Sequence, residues 1–232
     1  GSTFSLALKE NGTVVAWGDD GFGATTVPPG LTGVTAISAG QGHALALKND
    51  GKVVAWGWDF NDQATVPGNL SGVIAASAGA RHSLALKNDG TVVGWGSNYV
   101  GERSIPAGLN NVTAIAAGSG HSAALKNDGS LVVWGSGANT GGSNQDYYGV
   151  KKVPLGFTNI TQIASGANHL VALNAEGVLE NWGDNAWAQA ARAAELRDVT
   201  AVAISTYATA ALKSDGSVIA ISDRIKVPTD LP

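Results

Sequence analysis

The chain of 232 residues has no cysteine and no methionine. The lack of cysteine excludes disulfides, thiolate metal sites and a cysteine nucleophile. A chain that opens on Gly1-Ser2 rather than methionine is expected to be a processed or excised stretch, with any signal peptide already removed. Charge is scarce, at 14% Asp, Glu, Lys and Arg with a formal net charge of −4. The only adjacent basic pair is Lys151-Lys152. No basic footprint for nucleic-acid phosphates is present, so no nucleic-acid partner is expected. Long apolar runs are also missing, so no membrane insertion is expected.

What the chain has instead is glycine, 32 residues of it, and repetition. Six copies of one pattern run from end to end. The second copy reads Val34-Thr35-Ala36-Ile37, Ala39-Gly40, His43-Ala44-Leu45-Ala46-Leu47-Lys48-Asn49-Asp50-Gly51, Val53-Val54-Ala55-Trp56-Gly57 and Val66-Pro67. Lys9, Lys48, Lys87, Lys126, Asn174 and Lys213 mark the period, which is 39 residues except for one step of 48. A period in this range specifies a solenoid, a propeller or an array.

Each copy offers four strand-like stretches, represented by Val34 to Ser38, His43 to Lys48, Lys52 to Trp56 and a short one around Ala64 to Val66. Leu45 and Leu47 alternate with Ala44 and Ala46, the period of two that puts both leucines on one face. Asn49-Asp50-Gly51, with Asn88-Asp89-Gly90 and Asn127-Asp128-Gly129, reads as a hairpin turn whose glycine takes positive φ. Pro67 closes the fourth stretch because proline cannot donate to a ladder. The expected fold is all-β: a single domain over residues 1–232, a six-bladed β-propeller of about four-stranded antiparallel blades. Its first copy lacks a first strand, so a fragment of a seven-bladed ring is the fallback. A helical patch is expected over Ala186 to Leu196, where the fifth copy loses its strand pattern.

The motif Ala-Gly-x-x-His-x-x-Ala-Leu-Lys-Asn-Asp-Gly-x-Val-Val-x-Trp-Gly, nearly whole over Gly40 to Gly57, Gly79 to Gly96 and Gly118 to Gly135, resembles the repeat of the regulator of chromosome condensation family. Val14 to Asp20 followed by Ala24 to Pro28 is similar to a bacterial branch that contains a secreted β-lactamase inhibitor. The resemblance implies a propeller with a non-catalytic binding role and a secreted or cell-surface, bacterial setting. In that branch, aromatics are common just after the Ala-Gly pair; here only Thr206-Tyr207 and Thr3-Phe4 keep one.

Trp17, Trp56, Trp95, Trp134 and Trp182 recur before a glycine and are expected to pack between blades. His43, His82, His121 and His169 share one repeat position and are read as structural, with no metal and no cofactor. The loops after each Trp-Gly vary, yet they keep aromatics: Phe22, Trp58 and Phe60, Tyr99, Tyr147 and Tyr148, and Trp187. With Tyr207, these form the expected binding face, because variable loops on a rigid scaffold carry function. Asp19, Asp20, Asp59, Asp62, Glu102, Asp146 and Asp184 beside them read as solvated loop acids. The nine extra residues within Ser136 to Lys152 are expected to form a loop outside the blade. No catalytic motif is present, so an enzyme is not expected and a hydrolase ranks below two binding readings. The first is a monomer that binds a protein partner, of inhibitor or adhesion type. The alternative is a lectin-like propeller with several equivalent glycan sites.

Overall fold

The computed structural model describes residues 1–135, 149–184, 196–204 and 209–221. The described residues form seventeen strands in six antiparallel sheets and no helix. The first sheet pairs β1 (Phe4–Leu8) with β2 (Val14–Gly18). The second is β3 (Val34–Ala39), β4 (His43–Lys48) and β5 (Val53–Gly57), in that order. The third repeats it with β6 (Val73–Ala78), β7 (His82–Lys87) and β8 (Val92–Gly96). The fourth has β9 (Val112–Ala117), β10 (His121–Lys126) and β11 (Leu131–Gly135). The fifth has β12 (Ile160–Ser165), β13 (His169–Asn174) and β14 (Leu179–Gly183). The sixth has β15 (Val199–Ile204), β16 (Thr209–Lys213) and β17 (Val218–Ile221).

Among the described residues, five sheets are therefore three-stranded and the first is two-stranded, where about four strands were expected. The stretch Ala64 to Val66 is no strand. Its polar groups are used locally: the Ala64 and Thr65 groups bind the Asp59 carboxylate, at 2.7 Å each. In the equivalent stretches the Val27 and Ile105 amides donate back to Thr25 and Arg103, both at 3.0 Å. Amides committed to such tight turns are not free for a ladder. The expected helical patch lies outside the described residues except for Leu196.

The turns follow the sequence. In the hairpin over Asn49-Asp50-Gly51, the Gly51 amide donates to the Lys48 carbonyl (3.0 Å) and the Lys48 amide to the Lys52 carbonyl (2.9 Å). Gly51 sits at φ 74°, as a three-residue hairpin with a glycine bulge requires. A second bulge between Val34 and Ala36 leaves Thr35 unpaired, and its hydroxyl caps the Leu47 carbonyl at 3.2 Å. Thr113, Thr161 and Thr200 do the same for Leu125, Leu173 and Leu212.

The middle strands β4, β7, β10 and β13 are buried along nearly their whole length, and the core lies between successive sheets. The ends of the first strands surround a central channel of about 530 Å³. Among the described residues its lining, which includes Gly40, Gly79, Gly118 and Ser165, carries no ionisable side chain. Backbone bonds join neighbouring sheets at both ends. The Gln41, Ala80 and Ser119 amides donate to the Gly79, Gly118 and Ala167 carbonyls. The Val34, Val73, Val112 and Val199 amides donate to the preceding turn glycines Gly12, Gly51, Gly90 and Gly177. Gly40 permits the first set, since a Cβ there would stand 2.4 Å from the Gly79 carbonyl oxygen.

Candidate functional site

The repeated tryptophans and histidines are interface parts. Trp56, Trp95, Trp134 and Trp182 are buried, and each indole Nε1 donates 2.8–2.9 Å to a carbonyl of the preceding copy. The acceptors are Ala24, Gln63, Glu102 and Val150. Trp17 is the exception to the expected packing: it is 55% exposed.

The histidines reach the other way. The His43 Nε2 lies 2.9 Å from the Ser83 hydroxyl, and His82 Nε2 lies 2.9 Å from that of Ser122. His121 meets Ser165 at 2.7 Å and His169 meets Thr209 at 3.4 Å. The Ser83 and Ser122 hydroxyls spend their protons on the Gln63 and Glu102 carbonyls. Therefore His43 and His82 carry their proton on Nε2 and donate it, a tautomer that follows from the network. Their Nδ1 atoms are buried with no partner, as are those of His121 and His169. Burial pushes His43 and His169 down to about 4, and His82 and His121 down to about 3. A charged imidazole would add an N–H donor where no acceptor exists. Among the described residues, no three His, Asp or Glu side chains converge as metal ligands.

The loops after Trp-Gly sit beside the Ala-Gly-x-x-His loops at one end of the blades. Asp19, Trp58, Ser97 and Asp184 amides donate to Thr3, Gly42, Arg81 and Asn168 carbonyls, at 2.8–3.0 Å. Gly57 makes this close approach possible. It lies at φ 95°, and a Cβ there would be 2.6 Å from the Gly42 oxygen.

On this end, Phe22 from the first copy stacks on Trp58 from the second, with ring centroids 5.0 Å apart and planes 24° from parallel. The Arg81 guanidinium, from the third copy, lies 5.6 Å from the Trp58 ring centroid. Gly42 lies beneath, where a Cβ would sit 3.2 Å from both Phe22 and Trp58. Phe22 remains 56% exposed, Phe60 82% and Tyr99 69%. Tyr147, Tyr148, Trp187 and Tyr207 lie outside the described residues, as does most of the Ser136 to Lys152 insertion.

The loop acids divide: Asp19, Asp20, Asp59 and Asp62 are exposed, as the solvated reading expects, and Glu102 departs from it. Asp20 and Asp59 close their own loops. Asp20 accepts from the Thr25 amide (2.7 Å) and the Thr26 hydroxyl (2.9 Å). These hydrogen bonds hold its carboxyl below the usual range. Asn98 does the same work with the Arg103 amide, at 3.0 Å. Glu102 is only 2% exposed, and its carboxylate accepts the Ser97 hydroxyl and the Val100 amide. Sequence reasoning missed Arg81 as part of the cluster, since the position is not cationic in the other copies. It also missed the hydroxyl after the histidine, although Ser83, Ser122 and Thr209 recur there in the sequence.

The regulator of chromosome condensation (RCC1) repeat profile matches residues 1–24, 34–63, 73–102 and 112–140. No curated protein sequence matches the chain. Among solved structures, Prp20p from Saccharomyces cerevisiae is similar, with a TM-score of 0.76 at 19% identity, over 95% of this chain and 70% of Prp20p. The ectodomain of the Physcomitrella patens receptor kinase CR4 gives 0.75 at 22% identity, over 95% of this chain and 59% of that one. Human WBSCR16 gives 0.62 at 24% identity, over 80% and 60%. With four profile matches and the fold it shares with Prp20p, the chain is a β-propeller like those of the regulator of chromosome condensation repeat proteins.

Proposed function

We propose that this chain is a non-enzymatic binding module that takes a protein partner on its loop end. The observation that carries the reading is the Phe22–Trp58–Arg81 stack, contributed by three successive copies and continued by exposed Phe60 and Tyr99. Tryptophan, tyrosine and arginine dominate binding energy at protein interfaces. The stack is also pre-ordered, so little side-chain freedom is lost on contact. Prp20p, which shares the fold, binds Gsp1p and histones, and that precedent supports a protein partner here. An inhibitory or adhesive contact made outside the cell is the finer form of the same reading.

A lectin would present matching small pockets, one per blade. These loops instead differ: among the described residues the stack occurs once, and the position shared by Phe60 and Tyr99 is Gly21 in the first copy. The test is a photo-crosslinker in place of Phe60, used to capture the partner from the native source, followed by calorimetry. Trp58→Ala should weaken the captured interaction at least tenfold while leaving the unfolding midpoint nearly unchanged. Clear hits on a glycan array, with a stoichiometry well above one, would replace the protein reading with the lectin reading.

A further inference from the structure

Charge on the loop end is divided by copy. Asp19 and Asp20 in the first copy and Asp59 and Asp62 in the second are exposed, in the loops that carry Phe22, Trp58 and Phe60. Arg81 offsets one of these charges from its place on Trp58. Neither it nor the four aspartates make an ion pair among the described residues. In the third copy the corresponding loop has Asn98, with Glu102 turned inward onto Ser97 and Arg103 exposed. The negative field therefore covers the first two copies and stops there. At the opposite, hairpin end the charges are matched: Lys52, Lys87, Lys126 and Lys213 pair with Asp50, Asp89, Asp128 and Asp215 at 2.8–3.9 Å.

Closing the loops does not require this charge. The Asp20 and Asp59 carboxylates each accept one amide and one hydroxyl from their own loop. Asn98 stands at the same place in the third copy and closes that loop without charge. Its carboxamide accepts the Arg103 amide at 3.0 Å and donates to the Ser104 hydroxyl at 3.0 Å. The carboxylates of the first two copies thus add a charge that the hydrogen bonds do not use. Like charges held on one face repel each other, and the same field draws cations to it.

We propose that the partner meets this end with a basic segment, setting lysine or arginine side chains against Asp19, Asp20, Asp59 and Asp62 and an apolar residue against Phe22 and Phe60. The inference rests on the protein-partner reading above and adds the polarity of that partner. The aromatic stack supplies contact area, while the carboxylates speed the encounter and select among partners. At about 0.1 M salt the screening length is about 10 Å, so carboxylates on neighbouring loops act together on an arriving cation. An acidic segment would meet four like charges and one arginine already seated on Trp58.

The test selects random twelve-residue peptides, displayed on phage, against the intact immobilised protein, then measures synthetic copies of the winners by calorimetry. Lysine and arginine should be enriched about threefold over the unselected pool, with Asp and Glu depleted. Asp20→Asn with Asp59→Asn should keep the unfolding midpoint and weaken the winners about fivefold at low salt. Raising NaCl from about 50 to about 300 mM should weaken the wild-type complex about fivefold and the double variant's less than about twofold. Asn98→Asp extends the field by one copy and should tighten binding about twofold. Trp58→Ala should weaken every winner about tenfold. Neutral or acidic winners that are lost in Trp58→Ala would overturn the inference and leave the protein-partner reading standing. Basic winners that bind the double variant as tightly as the wild type would do the same. Winners indifferent to Trp58→Ala, or no winners at all, would overturn both.

Discussion

Acid should unfold this protein through its four buried histidines. Above pH 6.5 all four are neutral in both states and their contribution to stability is complete. Burial holds the folded values at about 4 for His43 and His169 and about 3 for His82 and His121. Between pH 6.5 and about 4, the unfolded chain therefore binds up to four more protons than the folded one. Stability falls as pH falls through that window. Each group contributes a slope of about 1.4 kcal/mol per pH unit, so four contribute roughly 5–6. A typical stability of about 10 kcal/mol is then exhausted about two units below 6.5, near pH 4.5. Asp20, Asp50 and Asp215, whose carboxyls are held low by hydrogen bonds, add to the loss only below about pH 4. The assay is urea denaturation at half-unit steps from pH 7.5 to 4.5, with proton uptake taken from the slope of ΔG against pH. The slope near pH 5 should correspond to three or four protons. The protein itself supplies the control. In the first seam Phe4 and Ala44 occupy the positions that His43 and Ser83 hold in the next, within one apolar cluster. His43→Phe with Ser83→Ala copies that pair and should lower the uptake by about one proton. Equal stability at pH 7 and pH 5, or histidine titration by NMR near 6.5, would refute the reasoning.

Trp95→Phe should cost about 1–2 kcal/mol in urea denaturation, since the Gln63 carbonyl loses one of its two donors. Trp95→Ala should cost about 3–5 kcal/mol, against well under half of that for exposed Trp17→Ala. Gly57→Ala should destabilise by several times more than Gly68→Ala. The first places a Cβ 2.6 Å from the Gly42 oxygen at φ 95°, and the second meets nothing within 4 Å. Hydrogen exchange should be fastest in Phe4–Gly18 and Val199–Ile221 and slowest in Val73–Gly135, because only the end sheets leave Trp17, Leu212 and Val218 uncovered.

Repetition made most of this fold legible. The Leu45/Leu47 alternation, the Asn-Asp-Gly turns and the Trp-Gly endings correspond to strands, hairpins and seam contacts. The stretch at Ala64 misled because apolar content and a closing proline look alike in a strand and in a loop folded on its own aspartate. Glu102 looked solvated because nothing in a single copy says that a loop acid turns inward onto Ser97. The Phe22–Trp58–Arg81 stack was half readable. The aromatics stood out against variable loops, but their contact joins three copies and depends on how far each sheet turns from the last. The hydroxyl partners of the histidines were readable in principle. Phe4 faces an alanine position where His43 and His82 face serines, a paired exchange visible by aligning the copies.

The seam contacts have a direction. Each inner blade sends its indole N–H back to the blade before it and its imidazole N–H forward to the blade after it, so every blade is both plug and socket. Such head-to-tail joints set no upper limit on the number of units they connect. Excising residues 73–111 would bring His43 against Ser122 and Trp134 against the Gln63 carbonyl, the same chemistry with one blade fewer. The joints are thus interchangeable along the chain, and what fixes the number of blades is the turn per sheet and the closing of the circle.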